Sequence, residues 1–263
     1  MPDQQRPLRV AVVGASAGLG RCIGTGLAKR GAQVALLARR YERLVDAAKE
    51  AGNGAVAVAC DVTVADTCQQ AIAEVAGALG GLDALVYTTG MGVLAPLAEV
   101  TAEQWATLFA TNVIGASLIT AAAAPHLAAA SGSAVYLSSL SASYTTPWPM
   151  LGSYAVTKSA LDKLVEAWRI EHPEIGFTRL AVGDSLGGTG DSQTEFNKNW
   201  DPDVLEKAIR FWMENKYMLG GLIDAEHLTD LVHNVIRCGN SGFIPYLTFA
   251  PRASSAVKEL RKW

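Results

Sequence analysis

Five short apolar runs recur along the chain, each unbroken and each followed by a segment of helical pattern. LRVAVVG precedes a helix to Arg30, QVALLA one to Ala51, and AVAVAC one to Leu79; LDALVYTTG and SAVYLSS each lead into a longer one. A strand with one face in water alternates apolar and polar residues, whereas a strand covered on both faces does not. The pattern therefore predicts an α/β fold: a doubly wound parallel sheet, Rossmann-like, with helices on both faces. At 263 residues, with no internal repeat or linker, the chain reads as a single domain over 1–263.

Composition removes several function classes. Half of the residues are hydrophobic and 18% are charged, so the chain builds a core rather than staying disordered. A formal net charge of -3 argues against nucleic acid as a partner, because phosphate binding wants concentrated Lys and Arg. Cys22, Cys60, Cys68 and Cys238 show no Cys-x-x-Cys spacing and no paired histidines, so no metal site is expected, and the thiols fit a reducing, cytoplasmic setting. MPDQQRPLRV has no apolar signal core, and LITAAAAPHLAAA is short and interrupted by Pro125 and His126; a soluble protein with no membrane partner is expected.

Doubly wound sheets bind ligands at the carboxyl ends of their strands. After VAVV comes Gly14-Ala15-Ser16-Ala17-Gly18-Leu19-Gly20, then a helical run from near Arg21. Glycines let the backbone approach a pyrophosphate, and the helix N-terminus offers free N–H groups and a positive dipole end. The spacing departs from G-x-G-x-x-G, since position 23 is Ile, and no G-K-[ST] follows. Where an acid would grip the adenine ribose for NAD, the chain has Ala38-Arg39-Arg40. A guanidinium there pairs with a 2′-phosphate, so NADP(H) is favoured over NAD(H).

Tyr154 and Lys158 stand four positions apart at the start of a helix, just beyond the SAVYLSS strand and a serine-rich loop. They share one helix face, so the lysine charge is expected to lower the tyrosine pKa from about 10 toward a useful acid/base range.

These pieces together resemble the short-chain dehydrogenases/reductases from about Leu8 to Phe249: VGASAGLG, Asp61-Val62 after the third strand, TNVIG with Asn112, the serine-bearing end of the fifth strand, and YAVTK. The resemblance implies a carbonyl/alcohol oxidoreductase in which Tyr154 moves the proton while hydride passes between nicotinamide and substrate carbon. Lys158 would hold the nicotinamide ribose and tune Tyr154, and Asn112 would position a water in the proton relay. Ser139, or Ser141 thirteen residues before Tyr154, would hold the substrate oxygen. Asp61 and Val62 would touch the adenine, with Gly90 and Thr88 lining the cofactor groove. The helices over about Ala102 to Leu127 and Tyr154 to Glu171 correspond to those that form dimer contacts in the family, implying a homodimer or homotetramer.

The chain also departs from that family. Tyr87-Thr88-Thr89 replaces Asn-Asn-Ala before Gly90, and Gly183-Asp184-Ser185 replaces a Pro-Gly, although Thr189 fits the threonine that follows. The C-terminal FIPYLTFAPRASSAVKELRKW reads either as a helix packing on a partner subunit or as a frayed tail. Residues from about 184 to 220, with Trp200, Phe211, Trp212, Met213, Tyr217 and Met218, read as a loop and lid over a pocket or as ordinary core. With Tyr144, Trp148 and Met150 in the loop before Tyr154, they predict a bulky, apolar ketone or alcohol. The departures motivate a second reading, a non-catalytic nucleotide-binding sensor on the same fold. An isomerase or dehydratase has no distinguishing residue.

Overall fold

The apolar runs become neighbouring strands in the computed structural model, which describes residues 6–185, 187–188, 194, 196–218, 220–238 and 241–252. The strands are β1 (Arg9–Val13), β2 (Gln33–Ala38), β3 (Val56–Ala59), β4 (Ala84–Tyr87), β5 (Ser133–Ser139), β6 (Gly176–Val182) and β7 (Tyr246–Phe249). Among the described residues they form one seven-stranded sheet, ordered β3-β2-β1-β4-β5-β6-β7, with every neighbouring pair parallel.

Both faces of this sheet are covered, which is why the runs are unbroken. Val10 and Val12 enter a core beneath α1 (Gly18–Lys29), α2 (Tyr41–Ala51) and a late helix, Ala225–Ile236. Ala11 and Val13 enter the opposite core, beneath α3 (Ala65–Leu79), and Tyr87, Tyr136 and Phe177 are its largest buried rings. The chain leaves β3 at one edge and returns to β4 beside β1, so the strand order reverses there and a crevice opens at the carboxyl ends.

Helices α4 (Ala102–Phe109) and α5 (Gly115–Ala129) are joined by a π-helical turn over Ala110–Ile114. This corrects the expectation that the apolar stretch is too short for a bilayer. Ala102–Ala129 runs as 28 residues and contains an 18-residue window with a mean hydropathy of 1.5, enough by length and composition alone to cross a membrane. In this fold Leu108, Asn112, Ala116, Ile119 and Ala123 are buried, where the stretch packs on α3, β4 and the helix that carries Tyr154.

The remaining helices are α6 (Leu140–Ser143), α7 (Gly152–Glu171), α8 (Pro202–Glu214) and α9 (Ala225–Ile236). Neither reading of the C-terminal stretch anticipated its first part, which is the edge strand β7, paired with β6 from Arg179↔Tyr246 to Val182↔Phe249. Residues 253–263 lie outside the described residues. Among the described residues no disulfide forms, and Cys60 and Cys68 are buried thiols while Cys238 is exposed.

Candidate active site

The turn after β1 is shaped by its neighbours. Gly14 has φ +91, and a Cβ there would lie 2.7 Å from Thr88 Oγ1 and 2.9 Å from the Thr89 nitrogen. A Cβ on Gly20 would strike the Gly14 carbonyl oxygen and Thr88 Oγ1. Only glycines let β1, the first turn of α1 and the end of β4 meet this closely. Helix α1 begins at Gly18, so Gly18, Leu19 and Gly20 are its first turn, and Ala17 caps it in extended conformation without a side-chain hydrogen bond. The free N–H groups there face the crevice that Gly14, Ser16, Ala17, Gly18, Leu19 and Gly20 line.

Arg39 is exposed after β2, while Arg40 Nη2 donates to Ser16 Oγ at 2.8 Å. That bond joins the basic doublet to the glycine turn, a connection the spacing alone did not show. Across the crevice, burial pulls the Asp61 carboxyl upward, but bonds from the Thr63 N–H and hydroxyl, with the Arg39 charge, hold it below the usual carboxylate range. Val62 lines the same wall.

The departures at the end of β4 have local replacements. Thr88 Oγ1 donates to the Val13 carbonyl at 2.6 Å, tying β4 to β1, and the buried Tyr87 hydroxyl donates to Thr111 O at 2.6 Å. Asn112, fully buried in the π turn, donates through Nδ2 to Met91 O and Thr157 Oγ1, both at 2.9 Å, and accepts from Met91 N at 2.9 Å. Both of its N–H groups are thus used, and Oδ1 retains one lone pair. A Cβ on Gly90 would come 3.2 Å from Lys158 Nζ and 3.9 Å from Asn112 Oδ1, so these two polar groups flank the glycine.

Ser139, Tyr154 and Lys158 meet where β5 ends and α7 begins. Ser139 is the last residue of β5 and the N-cap of α6; its Oγ accepts from Ser141 N at 3.2 Å and lies 2.9 Å from Ser141 Oγ. Ser139 is also the serine whose hydroxyl acts on the Tyr154 phenol, favouring its ionised form. Lys158 is 3% exposed and donates to Leu137 O at 2.8 Å. The expected lowering of the tyrosine pKa is not what the structure gives. Burial pushes the Tyr154 phenol up to about 12 against the opposing influence of the Ser139 hydroxyl, and burial pushes Lys158 down to about 8 against the charge of Asp162. Lys158 Nζ stands 5.8 Å from the Tyr154 ring centroid, and desolvation outweighs its field.

A residue the sequence did not single out closes on the Tyr154 ring. Phe196 meets the Tyr154 ring edge-on at 4.9 Å and Trp200 at 5.1 Å, while Trp200 Nε1 donates to Gly92 O at 2.9 Å. A Cβ on Gly92 would be 2.5 Å from Phe196 Cζ, so this glycine makes room for the cap. At its other end Thr194 nears the glycine turn, with the Thr194 Cα 3.5 Å from a Cβ built on Gly18.

One cavity of about 1550 Å³ is lined by the glycine turn, Arg39, Asp61, Gly90, Ser139, Tyr154, Lys158 and Phe196, whereas the buried Asn112 and Tyr87 are not part of its wall. Beyond Tyr154 its wall is mostly apolar, including Val93, Leu94, Trp148, Leu205, Ile209 and Trp212. Trp212 meets Trp148 with the rings tilted at 51° and 5.0 Å apart, and it donates to Pro149 O at 3.0 Å. Tyr144 and Met150, expected at this wall, are not part of it, and the Tyr144 hydroxyl instead accepts from Arg179 at 3.2 Å. Of the expected lid residues, Trp200, Trp212, Tyr217 and Met218 line the cavity, whereas Phe211 and Met213 face outward, 46% and 55% exposed. Asp184 lines the cavity after β6, its carboxyl pushed up to about 6 by burial. Thr189 lies outside the described residues.

A family model described as short chain dehydrogenase matches residues 9–200. The chain belongs to this family of oxidoreductases. Among curated relatives of this short-chain dehydrogenase, an 11-beta-hydroxysteroid dehydrogenase-like protein of Arabidopsis thaliana is 33% identical over 180 residues, covering 66% of this chain and 58% of that protein. The chain thus aligns with less than two thirds of that relative's length. Two solved structures share the fold. An alcohol dehydrogenase of the archaeon Thermococcus sibiricus, complexed with 5-hydroxy-NADP, matches with a TM-score of 0.75 at 24% identity, covering 92% of this chain and 96% of that one. A 3-ketoacyl-(acyl-carrier-protein) reductase of Brucella melitensis, complexed with NADH, matches with a TM-score of 0.77 at 22% identity, covering 94% and 98%.

Proposed function

We propose that this short-chain dehydrogenase is an NADP(H)-dependent oxidoreductase that interconverts a bulky, apolar ketone or aldehyde with its alcohol. The observation that carries the reading is the meeting of Ser139, Tyr154 and Lys158 in the wall of a cavity whose far end is the Gly14–Gly20 turn. A turn that a Cβ at Gly14 or Gly20 would fill, beside free N–H groups of α1, suits a pyrophosphate. The cofactor supplies or accepts the hydride. Arg39 and the Ser16–Arg40 pair supply positive charge and donors for a 2′-phosphate, and Asp61 and Val62 flank the adenine end.

Tyr154 gives its proton to the carbonyl oxygen during reduction and takes it back during oxidation, while the Ser139 hydroxyl steadies that oxygen. Lys158 would hold the nicotinamide ribose and would return a proton toward Tyr154. The space by Gly90, flanked by Lys158 Nζ and the remaining Asn112 lone pair, suits a water in that relay. The apolar wall of Trp148, Leu205, Ile209 and Trp212 supports the bulky substrate, because burying such a substrate removes apolar surface from water on both sides. Exposed Ile114 and Val156, on the π turn and on α7, are the faces a second copy would cover in a homo-oligomer.

Parallel titrations with NADPH and NADH, followed by reduced-nicotinamide fluorescence, test the cofactor half. Tighter binding of NADPH is expected, and equal binding would remove the role given to Arg39 and Arg40.

A further inference from the structure

Asp162 is a carboxylate the proposed reaction does not use, buried directly behind the proton-transfer pair. Tyr154, Lys158 and Asp162 recur every four residues along α7 and share one face, and Asp162 is 3% exposed. A carboxylate removed from water this far is costly unless its charge has a task or a partner.

Its contacts point to two neighbours of the site. Oδ2 accepts from Ser143 Oγ at 2.9 Å and from Arg179 Nη1 on β6 at 3.1 Å. Ser143 ends α6, the short helix whose N-cap is Ser139, and Ser159 Oγ ties the same helix to α7 by donating to Ala142 O at 2.6 Å. The Ser138 hydroxyl on β5 faces the same carboxyl, yet neither it nor Asp162 Oδ1 has a well-formed hydrogen bond among the described residues. The C-terminal end of α6 is thus bonded to this acid, and the Ser138 hydroxyl of β5 faces it.

The acid also faces Lys158. The groups around that ammonium are the Tyr154 ring and Asp162 from α7 and the Leu137 carbonyl from β5. Arg179 lies on the far side of Asp162, where it also approaches Glu166 at 3.8 Å and bonds the Tyr144 hydroxyl. Asp162 is therefore the negative charge between two cations. Its field raises the Lys158 pKa while burial lowers it.

We propose that Asp162 is a positioning residue with two tasks: it ties α6, and with it the Ser139 hydroxyl, to α7, and it supplies the charge that keeps Lys158 protonated beside Tyr154. The second task rests on the function proposed above; the first stands without it.

Three variants separate the tasks. Ser143→Ala removes the bond from α6 to Asp162 while leaving the Ser159–Ala142 bond, Asp162→Asn keeps the shape and an acceptor but removes the charge, and Arg179→Gln removes the competing cation. Hydrogen exchange on the cofactor-free protein reads the tie: Ser143→Ala should speed exchange over residues 139–144 by about tenfold, the effect of one lost hydrogen bond. The pH limb that reports Lys158, followed both in kcat/KM and in the dissociation constant of NADPH, reads the charge. It should move to lower pH in Asp162→Asn, to higher pH in Arg179→Gln, and not at all in Ser143→Ala. Unchanged exchange in Ser143→Ala overturns the tie, and an unmoved limb in Asp162→Asn and Arg179→Gln overturns the charge. Should Asp162→Asn not fold, the other two variants still decide both tasks. If no carbonyl substrate is turned over, the proposed function is what fails, while exchange and NADPH binding still test Asp162.

Discussion

Lys158 Nζ stands 5.8 Å from the centroid of the Tyr154 ring and donates to the Leu137 carbonyl at 2.8 Å, so the lysine is fixed beside the phenol without bonding it. Burial disfavours charge on both, raising the phenol to about 12 and lowering the ammonium to about 8. The proposed carbonyl reduction would start from a protonated tyrosine, and this burial keeps the phenol protonated well above neutral pH. Phe196, which closes over the ring, is part of that arrangement.

Phe196→Ala should therefore expose the phenol and bring its titration to lower pH, because the desolvation that favours the neutral form is relieved. Difference absorbance of phenolate between this variant and the parent, with and without Tyr154→Phe, isolates the one tyrosine concerned. No displacement would mean that other walls bury Tyr154.

Gly20→Ala puts a methyl onto the Gly14 carbonyl oxygen and Thr88 Oγ1. Because one of these is backbone, the turn must open, at a cost of about 1–3 kcal/mol. Urea unfolding should register that loss, and NADPH titration should register a further loss of cofactor affinity.

Arg40 is held at the glycine turn by Ser16, so Arg40→Ala should weaken NADPH by about tenfold or more and leave NADH nearly unchanged. The ratio of the two dissociation constants is the measurement. An equal loss for both nucleotides would mean that Arg40 braces the turn rather than binding the 2′-phosphate.

At the opposite end of the sheet, Asp83 carries the Arg6 and Arg9 guanidinium groups and accepts from Arg9 N at 2.9 Å. Burial raises its carboxyl, but these bonds outweigh burial and hold it well below the usual carboxylate range. A depressed folded pKa stabilises the protein above the unfolded value of about 4, and the gain is lost as pH falls below it. Asp83→Asn should thus cost about 2 kcal/mol at pH 7, discounted for the exposed Arg6. The gap between the urea midpoints of variant and parent should shrink as the pH is lowered through the carboxylate range.

The sheet could be read from the sequence because β1, β2 and β5 are covered on both faces and show no polar interruption within their buried centres. β7 could not, because an edge strand has one neighbour, and Tyr246 to Phe249 alternate between exposed and half-buried. In the site, Tyr154 and Lys158 were legible because one helix spaces them. Phe196, forty-two positions downstream, was not, since only the fold brings its ring to Tyr154. The direction of the tyrosine shift followed the same division: charge spacing is local, while burial is tertiary. Asp162 had a visible signal, a third polar residue on the Tyr154–Lys158 face, but its partners come from β6 and α6.

Tyr154→Phe tests the central claim most directly, since it removes one oxygen atom and keeps the ring that Phe196 packs against. With an apolar ketone and NADPH, the account predicts that kcat falls by about 10² to 10⁴ while the NADPH dissociation constant stays within about twofold of the parent. Turnover unchanged in the variant would contradict it, and would move the proton transfer to another group in the cavity.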